Sequence, residues 1–572
     1  MTNKEIADLF EAIADMLAIR GDQVHRILAY RRAAENIRDL GRDVRAHAAD
    51  GRLTDIQGVG ATLAAKIEEL LKTGKLEFYE RLSAEIPPEL VSLLRVEGLG
   101  PKRVKQVYDT LGVTTLEGLA EAAAAGKLSQ LPGMGAKSEA NIKASLELLS
   151  RHGDDRTPLG VAWPIAQSLL AELSTFSGVL QAAVGGSLRR MRESIGDLDF
   201  LIAAADSGPI MSRYRELDMV ESVLAAGASK TSVVLHNGLQ ADLRVLAPER
   251  WGTLLSYFTG SKDHNVRLRE MALKRGLSLN EHAFTPLNGG EETLCANEEE
   301  VYATLGLPYV APTLREDRGE IEAAAAGKLP DLVQESDLRA DLHAHTTWSD
   351  GKLSIEEMAR EAKARGMEYL AITDHSVGLG VASGLSVERL REQAAEVRQA
   401  DAALGPDFRV LSGTEMEIRA DGSLDYPDEV LAELDFVIAS PHVGLSQPRE
   451  AITARLLRAI ENPHVDMIGH PSGRLLPERV GADLDIEAVI QAAARTGTIL
   501  EINANPRRLD LRDSHVRQAV QAGVKLAINT DAHRPADFDL RHYGVATAQR
   551  GWATAADVVN TWPVDRFLAI LK

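Results

Sequence analysis

Three features of the sequence predict a multidomain protein that combines α+β and α/β architecture. The N-terminal part shows amphipathic helical patterns interrupted by three glycine-containing loops, and the middle part shows alternating strand patterns that carry aspartates. In the last part, apolar runs alternate with helical patterns, and each run ends in a polar cluster rich in His, Asp or Glu. We expect a helical N-terminal region, a central mixed sheet and a C-terminal seven-stranded (β/α) barrel.

Length and cysteine content limit the possible classes. A chain of 572 residues is long enough for three or four domains. The single cysteine, Cys295, excludes an intramolecular disulfide and favours a reducing cytoplasm, so a metal site would use His, Asp and Glu. Because we find neither a leader-like start nor eighteen consecutive apolar residues, we expect no secretion and no membrane span.

The charge distribution bears on nucleic-acid partners. A net charge of -20 argues against them, because binding to a duplex depends on neutralising phosphates. Basic residues are nevertheless concentrated in residues 25–45 and 262–275. With aromatic residues at 4 %, extended base stacking is not expected. We therefore expect contact with a limited track of DNA and a marked sensitivity to salt.

Three short loops divide the helical region, which we expect to form two units, residues 1–80 and 81–155. Each loop has an apolar residue, then two glycines that flank a second apolar residue, and then a helix. The glycines are Gly58 and Gly60, Gly98 and Gly100, and Gly133 and Gly135. Such a loop lets backbone N–H groups approach a phosphate without a Cβ in the way. One loop alone is more often a helix stop, but three resemble helix-hairpin-helix motifs, which bind the DNA backbone.

A glycine pair in the middle of the chain predicts a phosphate-binding loop. The apolar run of residues 180–184 ends at Gly185 and Gly186, so a strand should end there and a helix begin with free amides. Ser187 and Arg190 would hold the outer phosphates of a triphosphate. Taken alone, a Gly-Gly-Ser sequence is mostly a turn.

Three carboxylates are expected beside this loop. Asp197 and Asp199 project from one face of a strand, and Asp242 lies on a second alternating strand. If these strands are neighbours, the carboxylates would hold two divalent ions about 4 Å apart and align a 3′-hydroxyl with an α-phosphorus. The predicted chemistry is nucleotidyl transfer with Mg²⁺ or Mn²⁺. An isolated Asp-x-Asp is mostly a solvated strand end, but the combination favours function.

This combination resembles the nucleotidyltransferase signature, and residues 257–261 and 276–281 narrow the match to the family X DNA polymerases. The resemblance implies a palm at residues 156–247 and a nascent-pair-binding finger or thumb subdomain at residues 248–312. It also implies further nucleotide-binding residues: Tyr257, Phe258 and Gly260 near the deoxyribose, and Asn265 and Arg269 near the nascent pair and the template. Without these neighbours, the Tyr-Phe pair would be interpreted as core packing.

The N-terminal unit resembles the small lyase domain of the same family. Lys66 falls on its Schiff-base lysine and Tyr30 on a companion tyrosine. A lysine attacks a sugar aldehyde only when its pKa is depressed, which clustered positive charge and partial burial would achieve. The alternative, a solvated lysine or a phosphate contact, stays open. In either case, this segment is expected to bind the 5′-phosphate side of a gap.

A second unit is expected from residue 337 to residue 572, after a charged, alanine-rich linker at residues 313–336 without a clear core face. Because the active site of a parallel barrel lies at the carboxyl ends of its strands, the polar clusters should meet there. Neutral imidazoles with a bridging carboxylate suit zinc or manganese. A single histidine after a strand is usually only hydrogen-bonded, but six such histidines predict a metal site.

These clusters resemble the polymerase-and-histidinol-phosphatase (PHP) domain, a phosphoesterase barrel with three metal ions. By resemblance, the ligands are His343, His345, Asp350, His375, Glu415, His442, His470, Asp531 and His533. The implied cofactors are three Mn²⁺ or Zn²⁺ ions, and the implied activity is 3′–5′ exonuclease trimming with possible processing of abasic sites. Arg474 and Arg507 are further candidates for phosphate contacts.

Together, the two resemblances cover nearly the whole chain. They imply a family X DNA polymerase that fills short gaps in DNA repair, including base excision repair, with gapped or nicked DNA and dNTPs as partners. We expect a cytoplasmic, nucleoid-associated monomer. Two alternatives remain: a DNA-end-binding scaffold whose barrel metals serve only folding, and a nucleotidyltransferase that acts on RNA or a small molecule.

Overall fold

The computed structural model describes residues 1–38, 40, 43–96, 98–152 and 156–572. Two predicted features lie outside these residues: Arg42 of the basic stretch and Glu97 of the second glycine loop, together with the predicted boundary at residue 155. None of the described helices combines the length and the apolar content that crossing a membrane requires.

The N-terminal part is helical, as predicted. Its first helix begins at a capping box formed by Thr2 and Glu5 and ends at Gly21, which adopts a left-handed conformation. One hydrophobic core extends from Ile6 to Leu146, so the two predicted helical units pack on each other. The helices are α1 (Asn3–Arg20), α2 (Val24–Arg38), α3 (Val44–Ala49), α4 (Ala61–Thr73), α5 (Glu77–Glu85), α6 (Pro101–Leu111), α7 (Leu116–Ala124) and α8 (Ala136–His152).

A five-stranded mixed sheet follows, in the order β2-β4-β7-β6-β5. β4 and β7 are parallel neighbours, and the other pairs are antiparallel. A small ribbon of β1 and β3 lies beside this sheet. The elements are β1 (Thr157–Pro158), α9 (Leu159–Ser174), β2 (Gln181–Val184), α10 (Gly186–Arg189), β3 (Ser194–Ile195), β4 (Leu198–Ala203), α11 (Gly208–Arg215), β5 (Val220–Ala226), β6 (Lys230–Leu235) and β7 (Gln240–Leu246).

Helices predominate again after the sheet, and the segment predicted as a linker is packed rather than solvated. Within residues 313–336, Arg315 and Glu320 are fully buried, and Ile321 and Ala324 belong to a core cluster. The expectation of no core face was wrong here, because the segment buries charges in pairs. The elements are α12 (Trp251–Thr259), α13 (Lys262–Lys274), β8 (Leu277–Leu279), β9 (Phe284–Pro286), α14 (Glu298–Thr304) and α15 (Glu320–Ala325).

The C-terminal unit contains the predicted seven parallel strands, which pair in sequence order from β10 to β16. Main-chain hydrogen bonds of Ala532 with His343 and His345 bring the first strand to the residues after the last, so the barrel is nearly closed. The strands are β10 (Ala340–Ala344), β11 (Tyr369–Ile372), β12 (Arg409–Glu417), β13 (Phe436–Ser440), β14 (Met467–Ile468), β15 (Ile499–Asn503) and β16 (Leu526–Asn529). The helices are α16 (Ile355–Ala364), α17 (Val387–Leu404), α18 (Asp428–Leu431), α19 (Arg449–Glu461), α20 (Ile486–Thr496), α21 (Asp513–Gln521), α22 (Arg541–Arg550) and α23 (Val564–Leu568).

Candidate active sites

The three predicted carboxylates of the mixed sheet lie together. Strands β4 and β7 pair so that Asp199 is directly opposite Asp242, and Asp197 precedes β4 by one residue. The flanking residues Leu198 and Phe200 are fully buried, so the aspartates occupy the other face, as the alternation predicted. The condition set by the sequence, that the two strands be neighbours, is met.

Electrostatic repulsion is concentrated at this point. Burial and the charges of Asp197 and Asp242 raise the pKa of Asp199 to about 7. Partial desolvation and the charge of Asp242 also raise the pKa of Asp197. Asp242 receives an ammonium contact from Lys230 at 2.6 Å and an amide hydrogen bond from Gln240 at 3.1 Å. Three carboxylates that repel one another in this way are suited to binding divalent cations.

The glycine loop packs directly against these carboxylates. Gly186 has a φ of +60°, and a Cβ there would lie 2.4 Å from an oxygen of Asp199. Gly185 donates from its N–H to the carbonyl of Asp199 at 2.8 Å. The predicted helix after the loop, α10, is only four residues long and begins at Gly186, with Ser187 in its first turn. Only glycine permits this approach of the loop to the aspartates.

Arg190 does not point freely into the site. Its Nε donates to Glu316 at 3.1 Å, and its Nη1 donates to the carbonyl of Thr259 at 2.6 Å. Glycine is favoured at position 260 as well, because its φ is +69° and a Cβ there would lie in tight contact, 3.1 Å from Nη1 of Arg190. In this conformation Arg190 therefore joins the glycine loop to the segment predicted to face the sugar.

The predicted nucleotide-facing residues of α12 and α13 are linked to each other. Asn265 donates to the carbonyl of Tyr257 at 2.7 Å, and Arg269 donates to the carbonyl of Asn265 at 3.3 Å. The ring of Phe258 packs edge-on to Tyr257 and lies 4.0 Å from the guanidinium of Arg244. Arg244 follows Asp242 by two residues on β7, so the sheet holds the aromatic pair beside the carboxylates.

Lys66 lies in a small cationic and aromatic cluster of the N-terminal region. Its Nζ is 3.8 Å from the ring centroid of Phe78, against which the ring of Tyr30 also stacks. Partial burial and the nearby charge of Arg26 lower the pKa of Lys66. Burial raises the pKa of Tyr30 to about 12. The sequence gave no signal for Phe78, which joins the two predicted residues.

The three glycine loops have the same local structure. In each, the first glycine has a positive φ: +82° at Gly58, +86° at Gly98 and +76° at Gly133. An i to i+3 hydrogen bond closes each turn, from Val59, Leu99 and Met134. Helices α4, α6 and α8 begin immediately after the second glycines, Gly60, Gly100 and Gly135, and a Cβ at those positions would meet no atom within 4 Å.

All nine predicted barrel ligands converge at the carboxyl ends of the strands. Glu415 lies at the centre, and the nearest contacts between its carboxylate oxygens and five imidazoles are 2.8 to 3.6 Å; these belong to His343, His345, His375, His442 and His470. Asp531 lies 3.1 Å from His345, and Asp350 lies 3.3 Å from His533. Although burial raises it, the surrounding histidines hold the pKa of Glu415 well below its usual range.

The donor atoms of this cluster form three overlapping groups, each of which could hold a metal ion. Three sets of side chains have donor atoms within 4.8 Å of one another: His345, Asp350, His375 and His533; His343, His345 and Glu415; and His375, Glu415 and His442. Several of these buried atoms have no hydrogen-bond partner, including both oxygens of Glu415 and both ring nitrogens of His345 and of His470. Buried polar atoms are normally satisfied, so these atoms indicate coordination.

Two further carboxylates orient the histidines, and the sequence analysis did not assign them. Glu501 accepts from Nδ1 of His343 at 2.7 Å, and Glu417 accepts from Nδ1 of His442 at 2.7 Å. Each bond leaves Nε2 of the imidazole directed at Glu415 and available as a ligand. The sequence contained a signal for Glu417, because it follows Glu415 by two residues on the same strand and therefore shares its face.

The arginines predicted for phosphate contact in the barrel lie elsewhere. Arg474 is buried and donates to main-chain carbonyls and to Glu193 of the mixed-sheet unit. Arg507 is exposed and pairs with Glu478. The arginine beside the metal cluster is instead Arg508, which lies 3.5 Å from Asp531. The pattern of polar clusters in the sequence could not distinguish Arg508 from the adjacent Arg507.

Comparison with known proteins agrees with this division of the chain. Residues 1–76 match a helix-hairpin-helix domain, and residues 90–147 match a helix-hairpin-helix tandem. Residues 254–316 match the DNA polymerase beta thumb, and residues 341–505 match the PHP domain. The chain is 40 % identical to the DNA polymerase/3′-5′ exonuclease PolX of Bacillus subtilis, over the full length of both. The chain belongs to the family X DNA polymerases of the PolX type.

Other relatives match parts of this PolX-family chain. DNA polymerase lambda of Rattus norvegicus is 25 % identical over 346 residues, which cover 55 % of the chain and 56 % of the relative. A probable phosphatase of Thermoanaerobacter sp. is 32 % identical over 236 residues, 39 % of the chain and 89 % of the relative. The PolX-family chain thus combines a polymerase part and a phosphoesterase part, as the sequence predicted.

Proposed function

We propose that this chain is a DNA-directed DNA polymerase that fills short gaps during repair and trims 3′ ends with its barrel. The observation that carries the proposal is the register of β4 and β7, which sets Asp199 opposite Asp242 with Gly186 packed against Asp199. The full-length similarity to a polymerase/3′-5′ exonuclease of Bacillus subtilis supports both activities.

In the polymerase site, Asp197, Asp199 and Asp242 would bind Mg²⁺ or Mn²⁺. Such ions, when bound, lower the pKa of the attacking 3′-hydroxyl and offset charge on the leaving pyrophosphate. The glycine loop with Ser187 would bind the triphosphate by its amides. Phe258, fixed by Arg244, would lie beside the sugar, and Asn265 would fix the turn that presents Tyr257.

In the barrel, the nine ligands would hold three ions, for which Mn²⁺ or Zn²⁺ is proposed from the mixed imidazole and carboxylate donors. The ions supply an activated water and neutralise phosphate charge when bound. Glu501 and Glu417 keep His343 and His442 in the tautomer that presents Nε2. Arg508, which lies 3.5 Å from Asp531, would contact the phosphate of the terminal nucleotide.

Gapped or nicked duplex DNA and dNTPs are the proposed partners. The hairpin loops at Gly58, Gly98 and Gly133 would bind the backbone on either side of the gap, and the cluster around Lys66 would receive its 5′-phosphate. The proposed place of action is the cytoplasm at the nucleoid, where gapped DNA occurs, and the proposed active form is a monomer. Abasic-site processing would follow from Lys66 or from the barrel.

One experiment tests both activities. Gapped DNA with a labelled primer is incubated with Mn²⁺, with and without dNTPs. We expect extension to fill the gap when dNTPs are present and shortening of the primer when they are absent. A scaffold with a silent barrel would bind this DNA and change its length in neither case. Incorporation of NTPs with at least the efficiency of dNTPs would instead favour the RNA or small-molecule transferase.

A further inference from the structure

The segment after α14 connects the polymerase site to the barrel through buried charges. Glu316 accepts from Nε of Arg190 at 3.1 Å and from Nη1 of Arg550 at 2.8 Å. Arg550 is the last residue of α22 in the barrel, and its side chain is only 4 % exposed. Although burial raises it, Arg550 and Arg190 hold the pKa of Glu316 below its usual range. Glu316 is therefore ionised, and it forms a salt bridge to each of the two units, the polymerase part and the barrel.

Arg550 also bonds the glycine loop itself. Its Nη1 donates to the main-chain oxygen of Arg190 at 2.8 Å. Arg190 caps the C-terminus of α10, and the carbonyls at a helix end have no partner within the helix. A helix of four residues has little stability of its own, so its position depends on contacts from outside. A barrel residue supplies one of them.

The second terminal nitrogen of the Arg550 guanidinium is bonded within the barrel. Its Nη2 donates to Asp513, the first residue of α21, at 2.7 Å. Apolar contacts accompany these bonds, because Leu509 and Tyr543 of the barrel belong to the core cluster of the mixed sheet. The barrel thus holds Arg550 through Asp513 and presents it to the loop beside Asp199.

We propose that Arg550 is a positioning residue of the polymerase site, acting through Glu316 and the main-chain oxygen of Arg190 on the loop that binds the incoming nucleotide. The barrel is then a structural part of the polymerase as well as a nuclease. The inference rests on the proposed role of the glycine loop. It implies that Arg550 affects binding of the triphosphate of the incoming dNTP rather than binding of the primer terminus.

The test compares Arg550→Gln, Arg550→Lys and Glu316→Gln with Arg541→Gln as a matched control. Arg541 begins the same helix and pairs with Glu335 at 2.8 Å, so the control also removes an ion-paired arginine from α22. Single-nucleotide gap filling gives KM for the dNTP and kcat, and shortening of a single-stranded oligonucleotide with Mn²⁺ reports the barrel. We expect Arg550→Gln and Glu316→Gln to raise KM for the dNTP about tenfold, as for loss of a charged hydrogen bond. In both variants kcat should change less, and nuclease activity should stay within about twofold.

Arg550→Lys keeps one charged donor and should recover part of the KM, while Arg541→Gln should leave both activities unchanged. The inference is overturned if Arg550→Gln folds, as its nuclease activity shows, and keeps the KM of the wild type. If Arg550→Gln fails to fold, Arg550→Lys decides: a KM equal to that of the wild type overturns the inference, and a raised KM with nuclease activity retained supports it. Failure of the wild-type chain to add any nucleotide would refute the proposed function instead.

Discussion

Asp199 and Asp242 occupy opposite positions on the parallel strands β4 and β7. The two carboxylates come from segments 43 residues apart in the sequence, and the charge of Asp242 helps to raise the pKa of both Asp199 and Asp197. Placing like charges together costs stability, and such sites are typically functional. The first prediction follows from this pair.

Asp242→Ala should abolish nucleotide addition, with a loss on the order of 10³-fold or more, because the divalent ions would lose one of their proposed ligands. Nuclease activity should remain, since the barrel ligands are untouched. Primer extension and primer shortening on one gapped substrate measure both effects. Extension that survives the change would show that Asp242 is not the third ligand.

His343→Ala should give the opposite pattern. Its Nε2 lies 3.3 Å from Glu415, and its Nδ1 bonds Glu501, so the change removes a proposed ligand and one of the hydrogen bonds of the buried Glu501. Nuclease activity should be lost while most polymerisation is spared. The matched control is His464→Ala, a barrel histidine outside the cluster. Equal loss of both activities would point to a structural role for the barrel metals.

Lys66→Ala tests the lyase interpretation. With its pKa lowered by partial burial and Arg26, Lys66 should form a Schiff base with a 5′-deoxyribose phosphate, which borohydride converts to a stable adduct. We expect Lys66→Ala to lose the adduct. Lys72→Ala, an exposed lysine of the same helix paired with Glu68, should retain it. Trapping that persists in Lys66→Ala would leave Lys66 as a phosphate contact.

Gly98→Ala should weaken binding to gapped DNA several-fold. The residue has a φ of +86°, where a Cβ is strained by about 1 kcal/mol or more, so the hairpin loop should shift. Gly112→Ala is the control, because Gly112 has a φ of +67° and ends α6 away from the loop. Fluorescence anisotropy at several salt concentrations measures the affinity. Equal effects of both changes would indicate general destabilisation.

His264 predicts a pH dependence of stability. It is fully buried between Glu320, at 2.6 Å, and the hydroxyl of Tyr302, at 2.8 Å, and burial lowers its pKa despite the carboxylate. Below about pH 6.5, the unfolded chain takes up a proton that the folded chain does not. The free energy of unfolding should therefore fall as the pH decreases, by at most about 1.4 kcal/mol per pH unit for this group.

Comparing the wild type with His264→Gln isolates that contribution, because the other buried histidines are common to both proteins. Denaturant unfolding at pH 7.5 and pH 5.5 gives the difference. We expect the variant to lose less stability over this range than the wild type does. Equal losses would mean that His264 titrates normally in the folded state.

The local sequence pattern was sufficient to predict much of the fold and the positions of both candidate sites. The period of two around Asp197, Asp199 and Asp242 predicted which face they share, because side chains alternate along a strand whatever lies beside it. The polar clusters of the barrel were predicted to meet because parallel strands end at one rim, and the resemblance to the PHP domain implied the set of nine ligands. Resemblance to known families then supplied the chemistry of both sites.

Contacts between distant segments depended on the tertiary structure alone. Residues 313–336 look solvated in sequence, but Arg315, Glu316 and Glu320 are buried by partners in other segments, and no periodicity encodes an ion pair. Arg190 lies in the predicted phosphate-binding loop and was expected to contact the triphosphate. Its guanidinium instead bonds Glu316 and the carbonyl of Thr259. The sequence determined which residues can bind metals and phosphate. Only the folded chain decided that Arg550 of the barrel bonds the polymerase loop, because a hydrogen bond depends on position and leaves no repeat in the sequence.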